Sequence, residues 1–105
     1  MNRELRFSIE AARTLEDLES NPAKAGLLRQ VRKTLGLIET NLRHPSLQTH
    51  GFHSLHGPKG EDVFEAYVQN RTPGAYRVFF YYGPDHVEGK KRVPVLTIVA
   101  ITQHP

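Results

Sequence analysis

Cysteine and tryptophan are absent from the 105-residue chain, and long apolar runs are absent too. The lack of cysteine excludes disulfide bonds, thiolate nucleophiles, iron–sulfur clusters and cysteine-ligated zinc. No apolar stretch approaches the roughly 18 residues of a membrane span, and no apolar signal stretch follows the first residues. We therefore expect a soluble, cytoplasmic protein in which any metal would be held by histidines and carboxylates.

Proline and glycine are also scarce, at 7 and 8 residues, which is too few for a low-complexity linker. Hydrophobic residues make up 38% and charged residues 24% of the chain, as in ordinary globular proteins. A chain of this length forms one domain, here residues 1–105, that buries roughly 60% or more of its unfolded surface. Disordered, collagenous and repeat structures are excluded.

The excess of positive charge is small, because 14 lysines and arginines stand against 11 acidic residues. All 6 histidines, however, lie at or after His44, so the second part of the chain gains positive charge as the pH falls. An anionic partner therefore fits that part best.

The first part of the chain has the pattern of a short strand followed by two helices. Residues 4–7 can form the strand, and Ser8 can cap a helix over residues 9–19. Asn21, followed by a proline, is the typical start of a second helix. The helix after it has apolar residues at spacings of three and four and ends at Arg-His-Pro, residues 43–45.

From His50 onward the pattern changes to β-strands joined by short connections. The predicted strands are an irregular one at 51–56, then 63–69, 75–82 and 95–101. The connections are turns at 57–60 and 70–74 and a polar loop at 83–91. These connections predict an antiparallel meander with a helical hairpin packed on one face, which is an α+β fold.

Arg77 is the strongest candidate for chemistry, because it lies in the most apolar predicted strand, Gly-Ala-Tyr-Arg-Val-Phe-Phe-Tyr-Tyr. A fixed charge there must reach an anion, a carboxylate or an open face of the sheet. Arg77 can bind a phosphate, or it can pair with Glu65 on the preceding strand. Both hold if Glu65 aligns an arginine that also contacts phosphate.

Histidines provide the second set of candidates. His104, after the last strand, is either a solvated tail residue or a general acid or base beside the sheet edge. The histidines at 44, 50, 53 and 56 suggest a metal site. In a strand, however, their spacing puts His53 opposite His50 and His56, and no acidic residue follows until Glu61. We therefore expect no metal and no cofactor.

Aromatic residues divide between the two faces of the predicted sheet. Alternation sends Arg77, Phe79 and Tyr81 to one face and Tyr76, Val78, Phe80 and Tyr82 to the other. One face must form the core, and the other can stack on nucleotide bases. Charged residues in turns are normally just solvated. The basic residues in the turns around the sheet are therefore only a weak indication of phosphate binding; they are Lys59, Arg71, Lys90, Lys91 and Arg92.

Four segments make the chain resemble the RelE/ParE toxin superfamily of bacterial toxin–antitoxin systems. They are Asn-Leu-Arg-His-Pro-Ser-Leu at 41–47, Phe-Glu-Ala-Tyr at 64–67, Gly-Ala-Tyr-Arg-Val-Phe-Phe-Tyr at 74–81 and Ile-Val-Ala-Ile-Thr-Gln-His-Pro at 98–105. The resemblance implies a small toxin neutralised by an antitoxin that wraps its surface. In the RelE branch it implies metal-independent cleavage of mRNA on the ribosome, with the 2′-hydroxyl attacking the adjacent phosphate.

The resemblance also implies residue roles. Arg77 matches the phosphate-binding arginine of the superfamily, and His104 falls where some ribonuclease members carry a catalytic histidine. The chain departs from RelE in having Glu65 and Tyr67 where RelE has alternate lysines, and no tyrosine follows His104. We therefore expect a site of arginine, histidine and carboxylate, with Glu65 or His53 as the base.

RNA contacts are expected from Lys59, Arg71 and Tyr81. The alternative is a ParE-like protein that targets gyrase, or a catalytically silent protein that binds only an antitoxin.

Overall fold

The helices and strands form an α+β fold in the computed structural model, which describes residues 3–70 and 72–104. The strands are β1 (Glu4–Phe7), β2 (His50–His56), β3 (Asp62–Tyr67), β4 (Tyr76–Tyr82), β5 (His86–Glu88), β6 (Lys91–Val93) and β7 (Val95–Gln103). The helices are α1 (Ile9–Glu19) and α2 (Ala25–Thr40), with short 3₁₀ helices at Pro22–Lys24 and Pro45–Leu47. The predicted fold class is confirmed.

The start signals in the sequence act as predicted. The Ser8 hydroxyl accepts a hydrogen bond from the Ala11 amide at 3.0 Å and caps α1, whose bounds match the prediction. The Asn21 side chain accepts one from the Ala23 amide at 3.1 Å, but the turn that it starts is 3₁₀, and α2 begins at Ala25. Neither helix is long and apolar enough to cross a bilayer, as far as the described residues go.

Five strands form one sheet in the order β1-β7-β4-β3-β2. The pairs β2–β3, β3–β4 and β4–β7 are antiparallel, as the predicted meander requires, while β1 runs parallel to β7 at the far edge. The sheet is therefore mixed, because the helical hairpin carries the chain from one edge strand to the other. Sequence periodicity gave no sign of this parallel pairing.

The main core lies between the helices and one face of the sheet. It is built from buried apolar residues of both layers: Ala11, Leu18, Val31, Leu35, Ile38, Leu47, Ala66, Val78, Phe80, Leu96, Ile98 and Ile101. We call the sheet face in this core the covered face. The opposite face, which carries Val63, Glu65, Tyr67, Arg77, Phe79 and Ala100, is called the open face.

The segment 83–91 was predicted as a polar loop, and that prediction is wrong. His86–Glu88 and Lys91–Val93 pair antiparallel in a separate hairpin, with Gly89 at a φ of 62° in its turn. Strands of three residues with several charges show too little apolar alternation to be detected from sequence. The last strand also extends to Gln103, two residues beyond its predicted end.

Candidate active site

A cluster of ionisable side chains lies on the open face of the sheet. The register places Glu65 of β3 beside His50 of β2 and Phe79 of β4, and it places Tyr67 beside Arg77. His104 joins them because its backbone amide donates to the Ala75 carbonyl at 3.0 Å, which continues the path of β7 along β4. We call His50, Glu65, Arg77 and His104 the open-face cluster.

Glu65 is the centre of the cluster and is only 1% exposed. Its Oε1 accepts a hydrogen bond from Nε2 of His50 at 2.7 Å, and its Oε2 accepts one from Nδ1 of His104. Nε of Arg77 lies 3.8 Å from Oε2. Burial of a carboxylate requires such partners, because a charge without them is strongly destabilised away from water.

The ring of His104 is hydrogen-bonded through only one of its two nitrogens, as far as the described residues show. Its Nδ1 is bound to Glu65, while 47% of its side chain is exposed. Within the described residues, Nε2 of His104 makes no hydrogen bond, and the ring of Phe52 lies edge-on at 6.0 Å. A histidine oriented through one nitrogen, with the other free, is suited to proton transfer.

Arg77 is anchored within the sheet, with its side chain only 10% exposed. Its guanidinium lies 3.7 Å from the centre of the Tyr67 ring. Its Nη1 donates to the carbonyl of Gln69 at 2.5 Å and to that of Tyr76 at 3.1 Å. Nε of Arg77 is buried and makes no hydrogen bond to any described residue. Arg77 and Glu65 therefore form an ion pair with no hydrogen bond between them.

The structure brings His50 into the cluster, whereas His53 was the predicted candidate. Both histidines lie on β2, but they are an odd number of residues apart, so alternation places them on opposite sides of the strand. Phe52, next to His53, packs on Phe79 of the open face. Periodicity separated the two histidines, but only the register with β3 shows which one contacts Glu65.

The other histidines of the suspected metal cluster do not converge on His50. Nδ1 of His44 accepts a hydrogen bond from the Ser46 amide at 3.2 Å and caps the second 3₁₀ helix. Among the residues that the structure describes, no group of three histidine, aspartate or glutamate side chains is arranged to hold a metal ion.

The residues predicted to contact RNA lie in different environments. Tyr81 is on the open face, as alternation predicted, but it is only 4% exposed, and its hydroxyl accepts a hydrogen bond from Nη2 of Arg6 at 3.4 Å. A ring this buried is not accessible for stacking on a base, in contrast to the role predicted for Tyr81. Lys59 is exposed in the turn between β2 and β3, and Arg71 lies outside the described residues.

Comparisons with known proteins support the fold. No protein-family model matches the chain, and no curated protein matches its sequence. Solved structures that resemble it include a YoeB/ParE toxin from Agrobacterium tumefaciens, with 9% identity, a TM-score of 0.63 and coverage of 97% of this chain and 99% of that chain. Another is the YoeB dimer from Staphylococcus aureus, with 12% identity, a TM-score of 0.58 and full coverage of both chains. The chain therefore has the fold of YoeB and ParE toxin structures, and the predicted RelE/ParE-like fold is confirmed.

Proposed function

We propose that this protein is the toxin of a type II toxin–antitoxin system and that it cleaves mRNA at the ribosome without a metal ion. The single observation that carries the catalytic part is the buried Glu65, which holds His104 through Nδ1 beside the Arg77 guanidinium. The toxin part is supported by the fold shared with YoeB and ParE toxin structures and by the sequence resemblance. Its partners are then a cognate antitoxin, mRNA and the ribosome.

His104 is the group that exchanges protons with RNA in this proposal. Its Nε2 accepts the proton of a ribose 2′-hydroxyl, and the 2′-oxygen attacks the adjacent phosphorus. The bond from phosphorus to the 5′-oxygen then breaks, leaving a 2′,3′-cyclic phosphate. The 5′-oxygen takes a proton from water, and the hydroxide left behind takes the proton from His104, which restores the base. Glu65 stabilises the imidazolium that forms on His104, as the carboxylate does in other carboxylate–histidine pairs.

Glu65 itself is a positioning residue in this mechanism. Both of its oxygens accept hydrogen bonds and its side chain is buried, so it does not reach the substrate. This changes the expectation that Glu65 or His53 would act as the base. Of the two histidines in the cluster, His104 is the one with a ring nitrogen that makes no hydrogen bond to the described residues.

Arg77 stabilises the negative charge that grows on the phosphate oxygens. A fixed cation aimed at the reacting phosphate acts most strongly in the transition state, where that charge is greatest. Its anchoring by two carbonyls and the Tyr67 ring holds the guanidinium in place before the substrate arrives. Little reorganisation is then needed during the reaction.

The proposal is tested by expressing the chain without an antitoxin and mapping mRNA ends. We expect growth to stop and mRNA to be cut within coding regions, and we expect the purified protein to cut RNA in the presence of a chelator. His104→Asn should lower the rate by roughly 100-fold to 10,000-fold, because it removes the general base. The matched control is His86→Asn, which replaces a half-buried histidine on β5 that lies outside the cluster.

The possible outcomes separate the alternatives. Intact mRNA together with broken or trapped DNA would contradict the proposal and favour a gyrase-targeting protein of the ParE kind. Normal growth would favour a silent antitoxin-binding protein. Stoichiometric metal in the purified protein, with cleavage lost on its removal, would contradict the metal-independent mechanism.

A further inference from the structure

We propose that His50 carries a proton on both ring nitrogens and, as a fixed cation, positions Glu65 and through it His104. The inference rests on the proposed function for its catalytic consequence, but its structural part can be tested without RNA. The starting observation is that both nitrogens of His50 face oxygen acceptors. Nδ1 lies 2.6 Å from the Gln48 carbonyl oxygen, and Nε2 lies 2.7 Å from Oε1 of Glu65.

The number of donors decides the charge of His50. A carbonyl oxygen and an ionised carboxylate can only accept hydrogen bonds, whereas a neutral imidazole has one N–H and one acceptor nitrogen. A neutral His50 would therefore place a nitrogen lone pair against an oxygen lone pair at hydrogen-bond distance. With both nitrogens protonated, each donates to one of its two partners, and no such repulsion remains.

The surroundings of Glu65 favour its ionised form, which is the form that can only accept from His50. The other oxygen, Oε2, accepts from Nδ1 of His104 and lies 3.8 Å from Nε of Arg77. A cation at this distance, together with donors on both oxygens, favours the charged carboxylate and offsets the cost of its burial. The ring of Tyr67 also faces His50, edge-on with its centroid 6.0 Å away.

The backbone before β2 supports the arrangement independently. Gln48 adopts a φ of 45°, a left-handed conformation that is uncommon for residues other than glycine. This residue ends the second 3₁₀ helix and supplies the carbonyl that Nδ1 of His50 contacts. The turn thus fixes one side of the His50 ring, while Glu65 fixes the other.

The consequence is a division of roles between the two histidines. His50 has both nitrogens occupied and therefore does not transfer a proton to RNA, whereas His104 keeps Nε2 free. The charges of His50 and Arg77 together exceed that of Glu65, so the cluster stays cationic while His104 is neutral. A cationic site suits a phosphodiester substrate.

Nitrogen NMR of ¹⁵N-histidine-labelled protein, made in a cell-free system and measured at pH 7 without RNA, tests the charge directly. We expect both His50 nitrogens to show shifts of protonated nitrogen, and His104 to show one protonated and one bare nitrogen. A bare nitrogen on His50 would overturn the proposal, because His50 would then be neutral and could not act as a fixed cation.

Variants test the positioning role. His50→Gln should change the nitrogen shifts of His104 and lower kcat by roughly 10-fold to 100-fold with KM nearly unchanged, as expected for a group that orients a reacting side chain. His50→Lys, which keeps the positive charge, should recover part of the loss. The matched control is His53→Gln, on the same strand but the opposite side, which should leave both readouts unchanged.

The two proposals fail in different ways. If the His104 shifts respond equally to His50→Gln and His53→Gln, or do not respond at all, the positioning role is refuted whether or not RNA is cleaved. If His50 is protonated on both nitrogens and the His104 shifts respond only to His50→Gln, but no RNA is cut, the positioning role stands and the ribonuclease proposal fails.

Discussion

Phe79 and Phe80 are neighbours in β4, but they lie on opposite faces of the sheet and in different kinds of surroundings. Phe80, fully buried, packs in the main core under the helices and stacks on Phe64 with ring centres 5.9 Å apart. Phe79, equally buried, belongs to a small cluster with Val63, Ala100 and the partly buried Phe52. Among the described residues, this second cluster contains no helical residue, although the same strand contributes to both.

The difference shows what each face does for the protein. The covered face is apolar throughout the main core, so hydrophobic burial accounts for its residues. The open face buries Glu65 and Arg77 beside its small apolar cluster. Buried ion pairs are often no more stable than apolar replacements of similar size, so stability alone does not explain them. The catalytic role that we propose for the open face explains why it buries them.

The largest expected effect compares the two phenylalanines directly. Phe80→Ala should lower the free energy of unfolding by about 4 to 5 kcal/mol, and Phe79→Ala by about 3 kcal/mol, because the small cluster can collapse or admit water from the open side. Urea unfolding of both variants measures the difference. If Phe80→Ala does not fold, Phe80→Leu and Phe79→Leu give the same comparison. Equal losses would mean that the open face is packed as tightly as the covered one.

Replacement of the buried carboxylate should have the next largest effect on stability. Glu65→Gln keeps the shape but turns one hydrogen-bond acceptor into a donor that faces a histidine N–H. We expect the free energy of unfolding to fall by about 1 to 3 kcal/mol and RNA cleavage to fall far more. Glu16→Gln, on the exposed part of α1, is the control. A more stable Glu65→Gln variant with normal cleavage would remove the chemical explanation of the open face.

Arg77→Lys separates the charge of the guanidinium from its shape. The lysine keeps the positive charge but loses the stacking on Tyr67 and the planar guanidinium that donates to the Gln69 and Tyr76 carbonyls. Stability should fall by about 1 to 2 kcal/mol, and cleavage by roughly 100-fold or more. Thermal unfolding and single-turnover cleavage measure the two quantities. A strong loss of stability with unchanged cleavage would make Arg77 a structural partner of Glu65 alone.

The smallest expected effect is at an arginine on the protein surface. Arg32 of α2 donates to Glu19 of α1 at 2.8 Å, and both side chains are about half exposed. Arg32→Ala should lower the free energy of unfolding by about 0 to 1 kcal/mol and leave RNA cleavage unchanged, because water screens this pair. A loss as large as that of Arg77→Lys would show that burial does not distinguish the two arginines.

The sequence by itself determined the local features of this protein. The Ser8 cap and helical periodicity defined α1, and alternation assigned Arg77 to one face of β4 and Val78 to the other. It also pointed to Glu65 and His104 as chemical partners of Arg77. These features depend on neighbours within a few residues, and a periodic pattern records such contacts directly.

Tertiary structure decided the rest. The register of β2 on β3 brought His50 to Glu65 in place of His53, and the Arg6 side chain of β1 reaches the buried Tyr81 across β7. The parallel pairing of β1 with β7 joins the two ends of the chain. Such contacts link residues that are far apart in sequence. The free energy that selects one strand pairing over another comes from the packing of the whole sheet, and a local sequence pattern carries no information about that packing.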